Sequence, residues 1–401
     1  MHLRCDVAAS YGAAGDGRTD DTAALRAAIA ACAGGGEVVL RAPGRFLTGP
    51  LNLSSRLTLT IERGATLVAS SDERDYPVLP PLPSYGSSRD LNCFAHRQIV
   101  HGSVPCVGRY APVIGCFEGR HVTLRGGGEI DGQGQPWYAR CTAGRLTAGR
   151  PRLVEVNGCS DVRIEGLTMR DSPFWTVHLV YSRRAIVRSV ALHAPTNALG
   201  NTDGVVIDSS VDVVVEDSLL AVGDDGVSIK AGKDSPGRAF AMPSRNVLVR
   251  NVTSPRGSRG GVAIGSEMSG GVANVTVRDS TFAGSRGLKI KTCPGRGGYV
   301  RDVRFVDVSV TAGIAIATSY IGEVRGGALA LLENISFERV AGRGGCRFSC
   351  AQAASGECRG LRLVGLQQLR GCSKARAAAR RRWLKQPIPG GGSLPLPPPS
   401  P

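Results

Sequence analysis

No apolar run in this chain of 401 residues reaches the length of a membrane span, so no membrane partner is expected. Aromatic residues are scarce, at 5 %, and glycine is abundant, with 54 residues; the balance suits one large, turn-rich β domain. No helical apolar pattern separates the strand-like segments, which argues against βαβ units. The twelve cysteines form no paired C-x-x-C array with partner histidines. Only Cys346 and Cys350 approach metal spacing, so no metal and no cofactor are expected. RNP, helix-turn-helix and zinc-finger patterns are also missing. That matters because the net charge is +16. From Arg343 onward there are eleven Lys and Arg against one acid, Glu357, so +10 of the excess lies in the last stretch. The charge therefore points to no nucleic acid.

What is present is repetition. Blocks that open on a polar residue and then alternate apolar and polar recur, as in Asp161-Val162-Arg163-Ile164, Asp212-Val213-Val214-Val215 and Ala273-Asn274-Val275-Thr276-Val277. The others begin at Arg184, Arg245, Arg301 and Glu333. They return every 24 to 34 residues or so, a spacing typical of solenoids and propellers. β-branched residues at period two read as strands. The expected fold is all-β, a right-handed parallel β-helix whose coils bury an inward apolar row. A propeller or sandwich is the alternative, disfavoured by uneven intervals and the lack of regular hairpin turns.

The first residues supply a cap. Thr19-Asp20-Asp21-Thr22 leads into an alanine-rich helix over 23–33 with Leu25 and Ile29 on one face, stopped by Gly34-Gly35-Gly36. Such a helix hides the open edge of the first coil. The catalytic domain is read as 1–345, with an insertion-like loop at 92–107. Residues 346–372 are read as a last coil of unassigned form and 373–401 as a basic, Pro/Gly-rich disordered tail. The sequons at Asn52, Asn251, Asn274 and Asn334 permit glycosylation, and secretion would permit disulfides. No signal h-region is visible after Met1.

Four segments share one register: Thr202-Asp203-Gly204-Val205, Asp224-Asp225-Gly226-Val227, Arg259-Gly260-Gly261-Val262 and Ser285-Arg286-Gly287-Leu288. Aligned on the glycine before each strand, they stack Asp203, Asp225, Gly260 and Arg286. Two residues after that glycine come Val206, Ser228, Ala263 and Lys289, and two further on Asp208, Lys230, Gly265 and Lys291. Carboxylates gather at one edge of a face and lysines line the other, a place to hydrolyse an anionic polymer. Lys230 reads as a solvated lysine. His178 falls on the same outward row, where it reads equally as a substrate ligand or as an exposed surface histidine.

These residues resemble a known family. Asn201-Thr202-Asp203, Gly223-Asp224-Asp225 and Leu288-Lys289-Ile290-Lys291 are similar to motifs of polygalacturonase-type pectin hydrolases, glycoside hydrolase family 28. Ser172-Pro173-Phe174-Trp175-Thr176-Val177-His178 resembles the segment one coil earlier. Gly265-Ser266-Glu267-Met268-Ser269-Gly270 and Pro294-Gly295-Arg296-Gly297-Gly298-Tyr299 look like a plant-type subgroup. The resemblance runs from Tyr11 to Tyr299; beyond Val340 the fit is poor. It implies inverting hydrolysis of α-1,4 bonds between galacturonate units by a secreted or cell-wall enzyme, acting as a monomer on pectic polysaccharide. It makes Asp224 the acid, with Asp203 and Asp225 activating water, and gives Asn201, His178, Lys289 and Lys291 to substrate binding. One feature departs from the pattern: Ser258-Arg259-Gly260-Gly261 carries no histidine where many members have one. Two other classes fit the residues, a calcium-dependent pectate-lyase-like enzyme and an inactive carbohydrate-binding β-helix.

Overall fold

The computed structural model describes residues 3–86, 108–196, 200–320, 327–349 and 358–372. The loop expected at 92–107 and the tail at 373–401 lie outside these.

Chain direction is the same in nearly every strand pair, so successive turns of the chain lie one above another as a parallel β-helix. One sheet of ten parallel strands carries the functional face. Its central members are Val154–Asn157, Val177–Val180, Val205–Asp208, Val227–Lys230, Gly261–Gly265, Gly287–Lys291 and Gly313–Ala317, each paired with the next. An eighteen-stranded sheet folds around the remaining sides. In the later coils single long strands such as Val211–Ala221 turn the corner, pairing with both Arg183–Arg188 and Ala191–His193 of the coil before.

Alternation decides what each strand buries. Val205 and Ile207, Val227 and Ile229, Val262 and Ile264, and Leu288 and Ile290 all point inward and are essentially inaccessible, within one continuous apolar cluster. Each such side chain contributes about 1.5–3 kcal/mol relative to exposure. Stability therefore grows with the number of stacked coils, and no single turn holds the fold.

The polar residue just before each alternating run has a conformational reason. Asp161, Arg184, Asp212, Asn246, Asn274, Asp302 and Asn334 all take left-handed backbone angles, with φ from 51° to 60°. Asn and Asp tolerate that region better than most residues. Stacked coil on coil, they bond to one another: Asn246 Nδ2 donates to Asp212 Oδ1 at 2.7 Å, and Asn274 Nδ2 to Asn246 Oδ1 at 2.9 Å. The sequon asparagines Asn274 and Asn334 are rungs of this ladder.

The capping helix is Thr22–Ala31, with Leu25 and Ile29 buried against the first coil. Asp21 does not cap it; its carboxylate instead accepts from the Ala14 and Gly15 N–H groups and fixes the preceding turn. A disulfide between Cys5 and Cys32 ties the first strand to the end of this helix. Among the described residues three further α-helices were not expected: Val7–Tyr11, Gly134–Thr142 and Asp234–Phe240. All are short excursions from coils and replace no strand. The chain keeps coiling beyond Val340. Gly345–Phe348 and Cys358–Val364 continue both sheets, and Cys346 bonds to Cys372.

Candidate active site

Asp203, Asp224 and Asp225 sit just before the Val205–Asp208 and Val227–Lys230 strands, which pair in the expected register with Val206 opposite Ser228. Backbone bonds lock the two turns together: Gly204 N donates to Asp225 O at 3.0 Å, and Val205 N to Gly226 O at 2.9 Å. The turns are too close for side chains. A Cβ on Gly223 would lie 2.2 Å from Pro195 O, and one on Gly204 2.5 Å from Gly226 O. Asn201 takes the left-handed region (φ 57°), which turns its N–H onto Asp224 Oδ2 at 3.0 Å.

The three carboxyl groups are almost wholly buried, yet each meets a different partner. Asp203 Oδ2 accepts from Ser228 Oγ at 2.6 Å. Asp224 Oδ1 lies 2.7 Å from Arg286 Nη2, and Asp225 Oδ2 lies 2.7 Å from Lys291 Nζ. The electrostatics separate accordingly. Burial, reinforced by the neighbouring Asp224 and Asp225, pushes Asp203 up to about 7 against the pull of Lys230. Burial also opposes the charge on Asp225, but Lys291, Arg286 and Lys230 overcome it and hold that carboxyl below its usual range. Of these two carboxyls, Asp203 is thus the one that holds its proton toward neutral pH and Asp225 the one that gives it up.

That assignment has a consequence for stability. A carboxyl whose folded pKa exceeds its unfolded value binds its proton more tightly when folded. Stability therefore falls as pH rises from about 4 to about 7, and the full cost persists above. Asp203→Asn removes the cost, at most about 4 kcal/mol. Its unfolding midpoint in urea should exceed that of the unmodified protein at pH 8, with the gain gone by pH 4. A gain that persists unchanged at pH 4 would mean that packing, not charge, is responsible.

The two lysines divide. Lys291, 9 % exposed, is committed to Asp225 and lies 5.1 Å from the Tyr320 ring centroid. Lys289 is half-buried and makes no salt bridge with the described residues; burial lowers its pKa. Of the two lysines that the resemblance gives to substrate binding, Lys291 is thus already paired within the protein.

His178 and Lys230 need correction. His178 occupies the outward row opposite Val206, but it is fully buried and not at the surface. Its ring lies edge-on to Trp175, with Nδ1 3.8 Å from Glu155 Oε2 and Nε2 3.6 Å from Asp208 Oδ2. Tyr85, from a distant part of the chain, covers Asp208 and donates to its Oδ2. Substrate therefore cannot reach His178 in this arrangement. Lys230 is not solvated either: it pairs with Glu267 at 2.7 Å and lies 5.2 Å from the Trp175 ring centroid.

Several participants carried no role in the sequence reading. Arg286 was visible in the stack, and Glu267 lies in the Gly265–Gly270 motif. Arg109 and Arg152 were not marked by any pattern; they hold the buried Glu155, at 2.7 and 3.7 Å. Burial alone would raise Glu155, but Arg109, His178 and Arg152 outweigh it and keep the carboxylate low. Where the histidine is missing, a Cβ on Gly260 would come within 2.4 Å of Ser254 Oγ and Cβ, so Ser254 occupies that space.

Residues 112–373 match the family model described as Glycosyl hydrolases family 28. The chain is 38 % identical over 300 residues to a probable polygalacturonase of Vitis vinifera, covering 73 % of this chain and 58 % of that one. It therefore spans less than two thirds of that relative. An endo-polygalacturonase of Pectobacterium carotovorum subsp. carotovorum is 30 % identical over 310 residues, covering 75 % and 72 %. Among solved structures, the exopolygalacturonase of Thermotoga maritima aligns with a TM-score of 0.76 at 25 % identity, over 91 % of this chain and 87 % of that one. With its coils, its paired aspartate turns and these matches, the chain belongs to glycosyl hydrolase family 28.

Proposed function

We propose that this protein hydrolyses α-1,4 bonds between galacturonate units of pectin by inverting acid/base chemistry. The observation that carries the reading is the set of three buried aspartates on adjacent turns, two of them paired with Arg286 and Lys291, with Lys289 on the same strand as Lys291. Hydrolysis needs one protonated acid for the leaving oxygen and one carboxylate for water. Three carboxyls this close hold about one proton between them, which meets that need. Asp224 protonates the leaving oxygen, while Asp203 and Asp225 hold and deprotonate the water. The cations recognise uronate carboxylates. Asp224 and Asp225 already face protein cations, an arrangement that suits hydrolysis better than calcium-dependent elimination.

Release of reducing ends from de-esterified polygalacturonate tests the reading. New reducing ends without unsaturated products are expected. An ultraviolet-absorbing unsaturated product indicates a lyase, and binding without cleavage indicates an inactive binder. Lys289 supplies a second check. A charge-assisted bond is worth about 1.5–3 kcal/mol, so Lys289→Met should raise KM on de-esterified polymer by about tenfold or more. The salt dependence of KM should flatten. On heavily methyl-esterified pectin the change should be small, because the carboxylates are masked. Equal losses on both polymers would remove Lys289 from uronate recognition.

A further inference from the structure

Arg286 stands one coil beyond Gly260 and two beyond Asp225 in the stacked column. Its guanidinium reaches back across the Gly260 coil to Asp224 Oδ1 at 2.7 Å. The contact is incomplete: Arg286 Nε is buried and has no hydrogen-bond partner. A guanidinium fork fits a carboxylate with two parallel bonds, so this one is matched to an acceptor that Asp224 only half supplies. Burial opposes its charge, but Asp224, Asp225 and Asp203 offset that, and Tyr320 lies near the same groove. Lys289, on the strand that follows Arg286, is a further cation near Asp224.

The arrangement poses a chemical difficulty. A carboxylate gripped by a guanidinium is a poor proton donor, and Asp224 is the residue assigned that task. We propose that Arg286 is a substrate-displaced restraint on Asp224: a uronate carboxylate seated beside the scissile bond takes the guanidinium and frees Asp224 to act as the acid. The inference rests on the pectin-hydrolase reading above. The proton count does not change. One proton leaves the Asp203 carboxyl and arrives on Asp224, so that Asp203 becomes the carboxylate that faces water at the moment Asp224 becomes the donor. Arg286 is thus a positioning and specificity-determining residue. It makes the acid depend on the charge of the sugar, which a simple binding contact does not.

The test separates kcat from KM. Saturating oligogalacturonates are compared as free acids and as methyl esters, using the unmodified protein, Arg286→Gln and Arg286→Lys. With Arg286 present, kcat on the ester should fall at least about tenfold below that on the acid, a fraction of a general-acid contribution. Arg286→Gln should bring the two values within about twofold of each other, because Asp224 no longer needs release. Arg286→Lys should restore part of the difference. An unchanged acid-to-ester kcat ratio in Arg286→Gln, or a change confined to KM, overturns the proposal while leaving hydrolysis standing. If no reducing ends appear from either substrate, a crystal structure with trigalacturonate decides. Arg286 bonded to a uronate carboxylate supports displacement and sinks only hydrolysis; Arg286 still on Asp224, or no bound sugar, sinks displacement as well.

Discussion

Asp224→Asn should lower kcat on polygalacturonate by about 10²–10⁴-fold, the range of general-acid contributions, while the protein stays folded and still binds polymer. The amide keeps the volume of the carboxyl in a turn that leaves no spare room around Gly223. Its oxygen can still accept from Arg286 or from the Asn201 N–H, the two groups that hold Asp224 now. What it cannot do is donate a proton strong enough to expel a sugar oxygen. Retention of most activity, with unfolding and affinity electrophoresis unchanged, would transfer the acid role to Asp203, which holds its proton toward neutral pH.

The largest loss of stability is expected at Glu155→Ala. Glu155 is wholly inaccessible and accepts from Arg109 at 2.7 Å, with Arg152 and His178 completing its surroundings. Removing it takes away the carboxylate that both nearly inaccessible arginines bridge to among the described residues. Breaking a buried pair by deleting one partner costs about 3–5 kcal/mol, far more than the net worth of the pair itself. Urea unfolding should show the shift, with Glu155→Gln losing less because the amide still accepts one bond. A loss below about 1 kcal/mol for Glu155→Ala would place water or a rearranged Arg109 in the vacated space. Glu155 lies two coils behind the strand that follows Asp203, with His178 on the coil between, so activity should decline through local loosening before global unfolding.

The parts of the molecule that could be read beforehand are those written in short-range pattern. Val205 and Val227 were placed on neighbouring coils because each follows a glycine and begins the same alternation. The stacking of Ser228 under Val206 and of Lys289 beside Ala263 came from counting residues along that register. Asp161, Asp212 and Asn274 marked the coil repeat because a left-handed turn selects Asn and Asp, a local preference. Pairing across the groove was not legible. Lys291 reaches Asp225 over 66 residues of chain, and register gives the row of a side chain but not its rotamer or its partner. Nor was the contact of Tyr85 with Asp208, beside His178, legible: it spans 123 residues and starts from a segment with no periodicity. The helices Gly134–Thr142 and Asp234–Phe240 were missed because each is barely two turns long, too short to show a face.

The left-handed ladder also makes groove length and groove chemistry separable. Because the ladder, the inward apolar row and the outward row each advance once per coil, a whole coil inserted between Gly313–Ala317 and Gly345–Phe348 adds about 4.8 Å of surface and meets its neighbours correctly. Among the described residues no ion pair of the site spans that junction, so the reacting centre would not register the change. A single-residue deletion within Val211–Ala221 has the opposite character. Every later side chain in that strand would change faces, turning buried Val213 or Val215 outward and breaking the Asp212–Asn246 rung. Descendants of this architecture can thus lengthen or shorten the track that holds a polymer in whole-coil increments, while the two turns that cut it are inherited unaltered.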